Sequence, residues 1–165
     1  MRIGILSDTH DKRKRTARAV ERLRAEGVEA LIHCGDLTGP EIVYECAAIA
    51  VPCYFVFGNN DYDAEKLRRS IQEVNAHCLE DAGEFVLAGK RIAVTHGDSG
   101  PLIRKFLLAE PDYLFTGHTH FPADSREGRT RWINPGALHR ADMWTVAVLD
   151  LTADDLHLLT IEDTR

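Results

Sequence analysis

The chain has 165 residues, 44% of them hydrophobic and 28% charged, and 20 Lys+Arg against 26 Asp+Glu give a net charge of −6. Those figures exclude collagen-like, disordered and low-complexity chains, and they favour one domain over residues 1–165 with a core that needs no staples. The acidic balance argues against a dedicated nucleic-acid coat, and no apolar run reaches the length of a bilayer span.

Residues 2–7 form an apolar run too short for a helix, which reads as a buried strand. Lys12 to Ala25 follows with Ala17, Val20 and Leu23 on one face, an amphipathic helix ended by Gly27. Ala30–His33 is a second strand. Pro40 opens a second helix through Ile42, Val43, Cys46 and Ile49. Cys53–Phe57 is a third strand and Asp61–Val74 a third helix. Glu84–Leu87 and Arg91–Thr95 flank Ala88-Gly89-Lys90 as a hairpin. Pro101–Leu108 reads as helix and Tyr113–Thr116 as strand. From Phe121 onward, β-rich runs alternate with turns at Glu127-Gly128, Asn134-Pro135-Gly136 and Ala153–Asp155. Alternating strands and helices over the first two-thirds imply parallel strands, and the last third reads as antiparallel. The expected fold is α/β, with two packed mixed β-sheets flanked by helices in an αββα sandwich.

In open α/β sheets, ligands collect beyond the carboxyl ends of strands. Here those ends carry Ser7-Asp8-Thr9-His10, Cys34-Gly35-Asp36, Gly58-Asn59-Asn60-Asp61, His96-Gly97-Asp98 and Gly117-His118-Thr119-His120. Read singly, most of these are ordinary turns and helix caps. Their conjunction at five strand ends is not ordinary. Asp8 and Asp36 offer carboxylate oxygens, Asn59 an amide oxygen, and His10, His96, His118 and His120 imidazole nitrogens. Mixed N/O ligation without thiolate suits Mn, Fe, Ni or Zn. Seven candidate ligands exceed one site and fit two metals that share a carboxylate.

The ordered blocks Asp8-Thr9-His10, Gly35-Asp36, Gly58-Asn59-Asn60-Asp61, His96-Gly97 and Gly117-His118-Thr119-His120 resemble those of the calcineurin-like metallophosphoesterase superfamily. The short chain and Asn134-Pro135-Gly136 are similar to its small single-domain phosphodiesterase branch, which also contains a retromer scaffold subunit. The resemblance implies that Asp8, His10, Asp36 and His120 hold one metal. It implies that Asp36, Asn59, His96 and His118 hold the other, with Asp36 as the bridge. The implied cofactors are two divalent ions, Mn first, with Fe, Ni or Zn as alternatives. The implied reaction is hydrolysis of a small phosphodiester by a hydroxide held between the metals, with Asp36 and Asn59 in the catalytic machinery.

Many family members carry His after the Gly-Asn pair, where it contacts phosphate and protonates the leaving group. This chain carries Asn60, which can bind a phosphate oxygen but cannot act as a general acid. Asp61 reads as the cap of the third helix rather than a ligand. A non-catalytic scaffold and a nuclease are the competing functions. The intact ligand set opposes the first. The second lacks a clear basic groove or aromatic platform.

The N-terminus lacks the apolar core and cleavage site of a secretory signal, so a cytoplasmic location with no membrane partner is expected. A homo-oligomer is compatible with the sequence. Cys34, Cys46, Cys53 and Cys78 form no C-x-x-C pair and read as free thiols. The basic first helix reads as a solvated face partnered by Glu21 and Glu26. His33 reads as a satisfied histidine beside the core. His139 could reach the substrate, and Trp132 and Trp144 read as core.

Overall fold

A computed structural model describes residues 1–162. The elements run β1 (Arg2–Leu6), α1 (Arg13–Ala25), β2 (Ala30–His33), α2 (Pro40–Ala47), β3 (Cys53–Phe55), α3 (Ala64–Glu73), β4 (His77–Cys78), β5 (Ala82–Leu87), β6 (Lys90–Thr95), α4 (Gly100–Ala109), β7 (Tyr113–Phe115), β8 (Ala123–Glu127), β9 (Thr130–Asn134), β10 (Thr145–Asp150) and β11 (Asp155–Thr160). Two mixed sheets result, a six-stranded one ordered β11-β10-β1-β2-β3-β4 and a five-stranded one ordered β5-β6-β7-β9-β8.

The layers follow from side-chain alternation along strands that are apolar on both faces. In β1, Ile3 and Ile5 point into the space between the sheets, while Leu6 joins the cluster under the first three helices. In β2 and β10, Ile32, Ala147 and Leu149 face the inter-sheet core, whereas Leu31, Val146 and Val148 face the helices. The second sheet repeats the scheme: Ile92, Val94 and Phe115 face inward, and Ala93 and Leu114 pack on Phe106 of α4. Helices therefore cover both outer faces, in the expected sandwich.

Three local expectations need correction. The last third is not purely antiparallel: β9 pairs in parallel with β7, although β8, β10 and β11 do pair antiparallel. The strand β4 has only two residues, too few to leave a periodic signal. Helix α3 starts at Ala64, and its cap is Asp63, whose Oδ1 accepts the Lys66 N–H at 3.1 Å. Asp61 does something else, described below.

The remaining polar expectations fall as follows. Arg22 pairs with Glu26 at 3.1 Å and Arg24 with Glu21, which places those charges on a solvated face of α1. Cys34, Cys46 and Cys53 are buried free thiols, and Cys78 is half-buried. Trp132 and Trp144 are partly buried against the cores. No helix among the described residues is long and apolar enough to cross a membrane.

Candidate metal centre

Parallel pairing points the carboxyl ends of β1, β2 and β3 the same way in one sheet, and those of β6 and β7 the same way in the other. Their loops are then stitched together by backbone hydrogen bonds. Asp8 N donates to Gly35 O (3.0 Å), His10 N to Asp36 O (3.1 Å), and Gly117 N to His96 O (2.8 Å). Across the gap between sheets, His96 Nε2 lies 3.4 Å from Asp36 Oδ2, and His120 Nε2 lies 3.1 Å from Asp8 Oδ1.

Two groups of donor atoms emerge. Asp8, His10 and His120 form one, and Asp8, Asp36 and His96 the other, with the donor atoms of each group within 4.8 Å of one another. Asp36 Oδ2 is central to both halves, 3.2 Å from His10 Nε2 and 3.4 Å from His96 Nε2. His118 belongs to the His96 side, with ring centroids 5.1 Å apart, and its Nδ1 lies 3.1 Å from Asn59 Oδ1. All seven residues singled out from the sequence thus gather at one end of the sandwich. His118 and Asn59 are exposed, whereas Asp8, Asp36 and His96 are buried.

The surroundings fix how these groups present themselves. His96 Nδ1 lies 2.8 Å from Cys34 O, and His120 Nδ1 lies 3.2 Å from Arg140 O. A carbonyl only accepts, so each Nδ1 carries the hydrogen and each neutral ring turns its Nε2 lone pair toward the carboxylates. Asp8 Oδ2 accepts Ser7 Oγ–H (2.6 Å) and His118 N–H (3.0 Å), which leaves Oδ1 to face the site. Asp8 Oδ1, His10 Nε2 and His96 Nε2 are buried without a hydrogen-bond partner. Buried polar atoms left without a hydrogen bond are costly, and here they converge as carboxylate oxygen and imidazole nitrogen, the donor set that a divalent cation satisfies once the rings are neutral. The residues present therefore fit divalent metal.

Backbone strain marks the same place. Asp8 (φ 53°), His10 (41°), Asp36 (58°), His118 (67°) and His120 (63°) all lie in the left-handed region, at roughly 1–3 kcal/mol each for a residue with a side chain. Neighbouring contacts sustain that conformation. Asp61 Oδ2 accepts the N–H of Asp36 (2.9 Å) and Gly58 (2.7 Å), and its Oδ1 accepts Thr38 N–H (2.7 Å). Asp61 is thus the tie between two site loops, not a helix cap. Asn60 donates its N–H to Asp36 Oδ1 (2.9 Å) and its Nδ2–H to Asp36 Oδ2 (2.8 Å). Asn134 supports the histidine loop by donating to Gly117 O (2.7 Å).

The turn Asn134-Pro135-Gly136 is expected to support the metal loop, and Asn134 does so. Sequence reasoning missed Ser7 and Asp61 in these roles: Ser7 lies beside the Asp8 block, and Asp61 reads as a helix cap. His33 is fully buried; its Nδ1 accepts Gly35 N–H (3.1 Å) and its Nε2 lies 3.1 Å from Thr9 Oγ1, so it braces the loops without entering the centre. Burial pushes its pKa down to about 3. His139 lies against His10, with ring centroids 4.6 Å apart and the rings tilted by 39°, and burial followed by His10 and Lys12 pushes its pKa down to about 4.

The charged groups hold one another. Burial opposes ionisation of Asp36, yet the closeness of His10 and His96 keeps its carboxyl far below the usual range. Burial likewise opposes charge on His96, but Asp36 and Asp8 outweigh it and lift its pKa to about 9. Contact with Asp8 raises His120. Without metal, His96 is therefore protonated at neutral pH, on an atom a metal requires bare. Metal loading at pH 7 is expected to release protons. Apparent affinity is expected to climb with pH, by up to about tenfold per unit for each proton released, and to level off near pH 9. Calorimetry in buffers of differing ionisation enthalpy measures this, and an affinity flat between pH 6.5 and 9 would contradict it.

A two-sheet sandwich with helices outside and an Asp/His/Asn cluster at the strand ends defines a class. Residues 1–154 match the family model for the calcineurin-like phosphoesterase superfamily domain, and the chain belongs to that superfamily. Among its relatives, a phosphodiesterase of Methanocaldococcus jannaschii is 26% identical over 98% of this chain and 100% of its own. A probable metallophosphoesterase of Methanothermobacter thermautotrophicus is 31% identical over 83% of this chain and 77% of its own. A solved structure described as a novel archaeal phosphodiesterase superposes with a TM-score of 0.90 at 26% identity, covering 98% of this chain and all of that one.

Proposed function

We propose that this protein is a phosphodiesterase that works with two divalent metals on small phosphodiesters. The observation that carries the reading is the convergence of Asp8 Oδ1, His10 Nε2 and His96 Nε2, buried and unpartnered, around Asp36 Oδ2. Asp8, His10, Asp36 and His120 would hold one metal. Asp36, Asn59, His96 and His118 would hold the other. Mn heads the list of suitable ions, with Fe, Ni and Zn sharing the same ligand preferences. Two such ions supply a nucleophile from water at neutral pH and offset charge on the transferred phosphoryl group.

The chain's own residues do the rest. Asp36 contributes negative charge between the two halves, held in place through both oxygens by Asn60. The carbonyls of Cys34 and Arg140 keep His96 and His120 in the tautomer that presents Nε2. Asn59, exposed beside His118, is positioned to touch a substrate oxygen as well as a metal. Similarity to a named phosphodiesterase over the full chain supports the choice of diester over monoester. Asn60, which has no proton to give a departing alkoxide, favours esters with a weakly basic leaving group.

The test is a substrate panel with metal supplied. Aryl diesters should be hydrolysed faster than alkyl monoesters. Asn60→His should raise turnover of the alkyl esters more than that of the aryl ones, because general-acid help is worth roughly 10²–10⁴-fold where the leaving group is strongly basic. Alkyl monoesters cleaved as fast as aryl diesters by the wild type would contradict the reading.

A further inference from the structure

Tyr62 stands at the edge of this site and offers no ligand to it. It follows Asp61 in the loop between β3 and α3, and it is 88% exposed, more than any other large hydrophobic side chain among the described residues. Exposure alone means little, since single exposed aromatics are common. Its hydroxyl, however, donates to Asn60 Oδ1 at 3.2 Å, and Asn60 Nδ2 donates in turn to Asp36 Oδ2 at 2.8 Å. The phenol is therefore two hydrogen bonds from the carboxylate at the middle of the centre.

The loop that carries the ring is fixed on both sides. Asp61 is tied by three backbone N–H groups, from Asp36, Gly58 and Thr38. Asp63 caps α3 through Lys66 N–H. A side chain set between two such anchors and held at its tip loses little freedom when a ligand arrives, which is the condition for a preorganised contact. The single bond at the tip leaves the faces of the ring open to solvent.

We propose that Tyr62 is a substrate-contacting, specificity-determining residue whose ring receives a flat aromatic group carried by the phosphorus compound bound beside Asn59 and Asn60. The proposal rests on the phosphodiesterase reading for the position of the phosphoryl group and extends it to the ester substituent. An aromatic pair of this kind favours the aryl compound over its methyl counterpart by about 2- to 12-fold in affinity.

The experiment compares phenylphosphonate with methylphosphonate binding to the metal-loaded full chain by calorimetry, at a pH where both probes are dianions. Wild type should bind phenylphosphonate more tightly by that factor. Tyr62→Phe keeps the ring but loses the bond at its tip, so it should keep a preference for phenylphosphonate, smaller than wild type's. Tyr62→Ala should bring the ratio to about one while the protein stays folded by circular dichroism. A ratio near one in wild type, a ratio unchanged in Tyr62→Ala, or parallel loss of both probes in that variant would overturn the proposal. Turnover of an aryl diester is measured alongside. Absent turnover with the expected phenyl preference would overturn the phosphodiesterase reading and leave the Tyr62 contact standing.

Discussion

Asp36→Asn is expected to lower aryl-diester turnover by at least about 10²–10³-fold, the scale of losing one fixed electrostatic group at a reacting centre. The substitution changes little volume, but it fails in two ways. It removes the negative charge that sits 3.2 Å from His10 Nε2 and 3.4 Å from His96 Nε2. It also introduces an NH₂ group where both positions already face donors. Oδ1 accepts Asn60 N–H at 2.9 Å and Oδ2 accepts Asn60 Nδ2–H at 2.8 Å, so either orientation of the new amide sets a donor against a donor. At 2% exposure that mismatch is not relieved by water, and a stability loss of about 1–3 kcal/mol should accompany it. Asn60→Ala provides the contrast. It deletes one bond to Oδ2, leaves the backbone donor on Oδ1, and should cost no more than about tenfold, the lower end of what outer partners of a metal ligand contribute. Steady-state turnover with saturating metal checks both; near-normal rates in Asp36→Asn would contradict the assigned role.

The second large effect is expected at Gly58. A Cβ there would lie 2.2 Å from Asp36 Oδ1 and 2.6 Å from the Asp36 backbone nitrogen. Backbone cannot step aside cheaply, and here both strands of the contact are tied to one carboxylate. Gly58 N and Asp36 N each donate to Asp61 Oδ2, at 2.7 and 2.9 Å. Gly58→Ala should therefore cost at least about 1–3 kcal/mol, which lowers the melting temperature by about 2–12 °C at this chain length. Metal affinity should fall with it, because the residue pushed aside is Asp36. Gly100→Ala is the control: a Cβ there meets nothing within 4 Å, and the position opens helix α4, so its melting temperature should be unchanged or slightly raised. Thermal melts of the metal-free proteins, followed by metal titration, separate the two effects. A wild-type melt and affinity in Gly58→Ala would show that the loops have slack the contacts do not reveal.

The sequence was most legible where burial is complete. β1, β2, β6 and β7 each centre on a short apolar run, and the residues that reach the site follow within five positions of the strand's end. Asp8, Asp36, His96 and His120 could be picked out because metal-ligating types recur together at several such ends. Side-chain direction could not. That Asp8 turns Oδ1 inward depends on Ser7 and on the His118 N–H, a partner 110 positions away. The parallel pairing of β9 with β7 was hidden because turn-rich sequence after Phe121 looks the same for either direction. Asp61 and Asp63 are both plausible caps by residue type, and only the positions of the Asp36 and Thr38 amides separate their roles. Tyr62 gave no signal at all, since a lone aromatic in a loop has no periodicity to read.

The central claim is that Asp36 is shared by two metals, and metal stoichiometry tests it most directly. After loading with Mn and removal of unbound ion, mass spectrometry of wild-type protein should find about two metals per chain, the number that seven ligands with one shared carboxylate would hold. Asp36→Asn should retain fewer than one. A single metal in the wild type, or two retained in Asp36→Asn, would contradict the account.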